Sequence, residues 1–151
     1  MRSPRRGCRA ALLLGFLIAQ FQAGAAEFRA GHIVVADPWS RPTPPTAAVG
    51  AVYFAVTNAG PEADRLVAVS SPLARRVEIH ESRNVQGVVQ MRPVTSVDCP
   101  PGATVKSEPG GLHVMLVGLK EPLAAGTEFP LSLEFRDAGV LKVEVRVENR
   151  Q

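Results

Sequence analysis

The stretch Leu112-His113-Val114-Met115-Leu116-Val117 decides how this chain is read. Leu112, Val114 and Leu116 alternate with His113 and Met115, the two-residue period of a strand with one buried face. The three apolar residues predict the core side. His113 and Met115 then share the opposite face, next to one another. An earlier stretch, Val77-Glu78-Ile79-His80, repeats the pattern: Val77 and Ile79 form the apolar set and His80 points away from it. Ten residues separate His80 from Met91, and twenty-one separate Met91 from His113. The sequence has three methionines, one of them the initiator, so both others fall in this window with two of the three histidines.

Outward from that window the pattern stays β. Glycine and proline, 13 of each in 151 residues, punctuate short runs rich in valine and other strand formers. His32–Val35 reads as a first strand ended by Asp37-Pro38, and the proline-rich Arg41–Pro45 as an extended loop. Ala48–Thr57 is the strongest strand. Arg65–Val69 and Arg76–Glu81 follow, and a turn at Asn84–Gly87 leads into the return arm Val88–Pro93. Thr104–Lys106, Leu112–Val117, Phe129–Phe135 and Val140–Val147 complete about nine strands. No window after the N-terminal segment carries a helical stripe over three turns. The expected fold is all-β, a single-domain antiparallel sandwich.

Residues 1–26 read as a secretory signal peptide. Arg2, Arg5, Arg6 and Arg9 precede the apolar run Ala11–Phe21, which is too short to span a bilayer, and Ala23-Gly24-Ala25 offers a cleavage signal. Residues 27–151 are then the exported domain. The net charge of +3 belongs to the leader: it holds four arginines and no acid, so the remainder has 13 basic and 14 acidic residues, net −1. That balance gives no basic face for nucleic acid and no polybasic segment for a membrane surface. Cys8 departs with the leader and Cys99 remains alone, so the mature domain folds without an internal disulfide, on its core.

Two imidazoles and two thioethers form a soft, neutral ligand set, suited to Cu(I) and poor for cations that want oxygen. Taken singly, each residue has a plainer role: a strand methionine is commonly core filler, and a histidine on a polar face is commonly solvated. The same-face His-x-Met pair is the feature that chelation needs. Glu81 falls on the other strand face, either as a solvated charge or as support for a ligand. His32 is expected at the surface, and Trp39 and Tyr53 in packing. No Gly-x-Ser-x-Gly elbow or paired carboxylates argue for an enzyme. Two rivals stay open: a blue-copper electron-transfer protein using Cys99, which would need a thiolate ligand, and a non-metal β-sandwich binding module with both methionines packed inward.

The spacing H-x10-M-x21-H-x-M, set in VEIHES, GVVQMRPV and PGGLHVMLVGLK, resembles the periplasmic copper chaperones of the PCuAC family. The similarity extends from WSRPTPP at Trp39 and GAVYFAVTN at Gly50, through DRLVAVSSP at Asp64, to the last strands. The resemblance implies a cupredoxin-like Greek-key barrel or sandwich and Cu(I) held by His80, Met91, His113 and Met115. It further implies a periplasmic metallochaperone that delivers copper to the Cu(A) centre of cytochrome c oxidase, alongside Sco-type thioredoxin-fold proteins.

Overall fold

Strict alternation builds one half of the molecule. In Phe129-Pro130-Leu131-Ser132-Leu133-Glu134-Phe135 every second side chain is buried, and Leu141, Val143, Val145 and Val147 repeat this on the next strand. Two such strands bury one face each and leave the other to water. The computed structural model describes residues 26–150, so the expected signal peptide lies outside the described residues apart from Ala26.

The described chain has eleven strands: β1 (Glu27–Ala30), β2 (Ile33–Ser40), β3 (Val49–Asn58), β4 (Asp64–Ser70), β5 (Ala74–Val85), β6 (Val88–Val94), β7 (Val97–Cys99), β8 (Thr104–Lys106), β9 (Leu112–Leu119), β10 (Glu128–Phe135) and β11 (Gly139–Val147). No helix occurs among the described residues. The strands form one sheet in the order β6-β5-β9-β3-β2-β11-β10-β4-β7, with β1 on β2 and β8 on β3. The sheet curls until β4 also packs against β5. Phe54, Leu66, Ile79, Val114, Leu116, Leu133, Phe135 and Val145 fill the interior between its halves.

Three sequence expectations need correction. Eleven strands stand where nine were expected: β1 is short and half polar, and β7 is three residues before Pro100, so neither carries a legible period. β2 does not end at Asp37-Pro38. Asp37 takes a left-handed φ of 52°, the register with β3 shifts between Ala36 and Trp39, and the strand resumes to Ser40. Such a bulge admits the proline without ending the ladder. Nor is the sheet wholly antiparallel, because β2 and β11 run parallel at Trp39 and Ser40.

The bulge is tied down by charge. Arg150 reaches Asp37 through both terminal nitrogens, at 2.6 and 2.8 Å, and Arg146 adds a contact at 2.8 Å. The Arg150 hydrogen bonds hold the Asp37 carboxyl below its ordinary range. The Arg150 guanidinium also lies over the Trp39 ring, which packs on Tyr53 at 4.8 Å between centroids. Trp39 and Tyr53 therefore have the packing role expected of them.

Candidate metal centre

A turn sets the position of Met91. β5 and β6 are joined by Gln86 and Gly87 alone, with φ of 52° and 84°, the positive pair that a two-residue hairpin with native twist requires. The Asn84 side-chain oxygen accepts the Gly87 N–H at 2.8 Å and closes the turn. From Val85 opposite Val88, the register runs back to Ser82 opposite Met91 and His80 opposite Pro93. Directly opposed residues share a face, and one extra turn residue would flip Met91 to the other side.

On the other flank of β5, His80 is directly opposite His113, Glu78 is opposite Met115, and Ala51 on β3 is the other neighbour of Met115. His80, Met91, His113 and Met115 therefore occupy one face of β6-β5-β9, the face turned away from the core. The two imidazole centroids are 6.0 Å apart. Met91 and Met115 are both absent from the core, and Met91 is 51% exposed. The inward-packed methionines of a non-metal sandwich are not what the fold contains.

One expectation changes in kind. His113 lies off the core face as its strand period requires, yet it is only 6% exposed. Its Nδ1 lies 2.9 Å from the Gly111 carbonyl oxygen. A carbonyl can only accept, so Nδ1 carries the hydrogen and donates it, leaving the lone pair on Nε2. His80 is arranged the other way. Its Nε2 is 2.9 Å from the Glu78 carboxylate, while Nδ1 is buried with no hydrogen-bond partner.

Sequence reasoning singled out Glu81 and passed over Glu78. Glu81 is engaged by Arg83 at 3.0 Å and Arg92 at 3.1 Å, and its carboxylate is hydrogen-bonded to these arginines and not to His80. Glu78 shares the His80 face two residues earlier and also receives Arg76. The His80 hydrogen bond, with Arg76 beside it, keeps the Glu78 carboxyl below the usual glutamate range. The same-face rule that paired His113 with Met115 would have found it.

The remaining residues fall outside the centre. Cys99 is 1% exposed within the core cluster, and burial pushes its thiol up, away from the thiolate that a blue-copper ligand must be. His32 is exposed and packs over Gly60, where an added Cβ would meet it at 2.9 Å. Among the described residues, no three His, Cys, Asp or Glu side chains gather as a metal site.

Residues 33–147 match the family described as "Putative lipoprotein LpqE-like". The chain belongs to this family, in its PCuAC form. It is 35% identical over 120 residues to RP573 of Rickettsia prowazekii, covering 75% of this chain and 65% of that protein. With Lxx21020 of Leifsonia xyli it shares 34% over 100 residues, 66% of this chain and 60% of the relative. The chain thus spans less than two thirds of either relative's length. Among solved structures, it superposes on the copper-bound PCuAC domain from PmoF2 with a TM-score of 0.71 and 27% identity, over 83% of this chain and 99% of that one. The apo PCuAC domain from PmoF1 gives 0.71 and 25%, over 83% and 100%. The Cu(I) form of DR1885 from Deinococcus radiodurans gives 0.57 and 25%, over 87% and 83%. The PCuAC fold of this chain is the cupredoxin-like β-sandwich.

Proposed function

We propose that this protein is a copper-binding, chaperone-like carrier that holds Cu(I) through His80, Met91, His113 and Met115. The observation that carries the reading is the register: two histidines directly opposed across β5 and β9, with both methionines on the same face. The copper-bound PmoF2 domain and the Cu(I) form of DR1885 support copper as the cargo. Four uncharged donors leave a monovalent ion its single charge, and two soft sulfurs favour Cu(I) over harder cations. We read the protein as a carrier and not an enzyme, because this face presents a neutral donor set suited to holding an ion.

Delivery to the Cu(A) centre of cytochrome c oxidase, with Sco-type proteins as co-workers, is the route we propose for the cargo. The family's lipoprotein description is that of exported proteins, and we place this member in the periplasm after removal of residues 1–26. Among the described residues, no helix is long and apolar enough to cross a membrane.

Anaerobic Cu(I) titration of residues 27–151, followed by X-ray absorption, tests the site. The expected result is one copper with about two sulfur and two nitrogen neighbours. Met115→Leu should lower the sulfur count while the domain stays folded. A full sulfur count in that variant, or a centre of oxygen and nitrogen alone, would remove the proposed ligand set.

A further inference from the structure

We propose that Glu78 is a positioning residue for copper: it holds His80 by Nε2–H and leaves Nδ1 as the binding atom, so the two histidines bind through different ring nitrogens. The inference rests on the carrier reading and adds to it which atoms face the ion and what sets them.

The Glu78 carboxylate holds the Arg76 guanidinium on one oxygen and acts as an acceptor on the other. The nitrogen 2.9 Å from it must therefore be the donor. With one proton on the neutral ring, the lone pair sits on Nδ1. That atom is buried and has no partner. An unpaired buried acceptor costs free energy unless something fills it, and native structures keep few of them. Here the open lone pair belongs to the histidine directly across from His113. His113 complements it, with Nδ1–H held by the Gly111 carbonyl at 2.9 Å and Nε2 free.

Metal-binding histidines generally give their second N–H to a carboxylate or a backbone carbonyl. This pair uses one of each. The two anchors differ in charge: the carbonyl only orients His113, whereas the carboxylate also strengthens His80 as a donor and offsets the charge of the ion. Arg76, on the far oxygen of Glu78, restrains the carboxylate from that side. The three side chains occupy alternate positions of one strand, Arg76, Glu78 and His80, so they share a face by the strand's own period.

Long-range proton–nitrogen spectra of the imidazoles, recorded without metal and with stoichiometric Cu(I), test this directly. The metal-free protein should show His80 as the Nε2–H tautomer and His113 as the Nδ1–H tautomer. Cu(I) should then perturb Nδ1 of His80 and Nε2 of His113. Glu78→Ala should let His80 exchange tautomers and should weaken Cu(I) binding by about 10- to 100-fold. Glu78→Gln, whose amide oxygen still accepts the same N–H, should keep the tautomer and recover most of the affinity. Copper on Nε2 of His80, or Glu78→Ala with tautomer and affinity unchanged, would overturn the proposal. Should the wild-type protein take up no Cu(I), the carrier reading fails separately. The metal-free spectra and the Glu78→Gln variant decide the Glu78 contact even then, and also if Glu78→Ala does not fold.

Discussion

Buried polar groups in two regions of the molecule are treated in opposite ways. At the C-terminal end of β3, Asn58 is 2% exposed and both polar atoms of its side chain are paired: Nδ2 donates to the Glu62 and Cys99 carbonyls at 2.7 and 2.9 Å, and Oδ1 accepts the Gly60 N–H at 2.9 Å. Asp64 beside it accepts three backbone N–H groups, from Arg65, Asp137 and Ala138. On β5, opposite His113, His80 keeps one ring nitrogen buried and unpaired. The pairing of Asn58 and Asp64 suits groups that hold the fold together. The open nitrogen of His80 is the atom assigned to the ion in the proposed carrier.

Substitutions should separate the two regions. Asn58→Ala strips two carbonyls and one N–H of their partner, and should cost about 2–4 kcal/mol in urea unfolding while Cu(I) stoichiometry is retained. If that variant were as stable as the parent, the satisfied network would not be structural. His80→Leu should do the reverse. It removes an unpaired nitrogen together with the Nε2–H bond to the partly exposed Glu78 carboxylate, so metal-free stability should move by no more than about 1–2 kcal/mol, whereas Cu(I) affinity should fall by more than the roughly 100-fold expected of a supporting residue. A large loss of stability without loss of copper would turn the contrast upside down.

The smallest effect expected is one of acidity. Burial alone would raise the Asp64 carboxyl, but the N–H groups of Asp137, Arg65 and Ala138, with Arg136 nearby, outweigh it and hold it below its ordinary value. A depressed folded value means stability present above the unfolded one, near 3.8, and lost as pH falls through the folded one. The urea midpoint should therefore decline below about pH 4–5 in the parent and decline less in Asp64→Asn. Equal slopes in the two proteins would show that the contacts of Asp64 do not depend on its charge.

Strand period made most of this legible in the sequence. Leu112–Val117 and Val77–His80 show which side chains leave the core, and the even spacing from Ser82 to His80 carries Met91 onto their face once the turn is known. What stayed hidden needed pairing partners. The His80–His113 alignment is a register between strands 33 residues apart, which no single stretch encodes. The continuation of β2 past Pro38 depends on arginines at 146 and 150 that meet Asp37 only after folding. Burial of His113 is likewise a product of assembly. Glu78 lies two residues before His80 and is reached by the same-face rule, whereas chain adjacency points to Glu81.

The place of β6 as the outermost strand gives the four donors unequal standing. Both histidines sit on strands with a neighbour to either side, whereas Met91 rides on a ribbon bonded along one margin and open along the other. In the proposed carrier, a protein arriving from that margin meets this sulfur before any other donor. Handover would then begin with the loosest grip and finish with the imidazole pair, so the order of the strands also sets the order of departure.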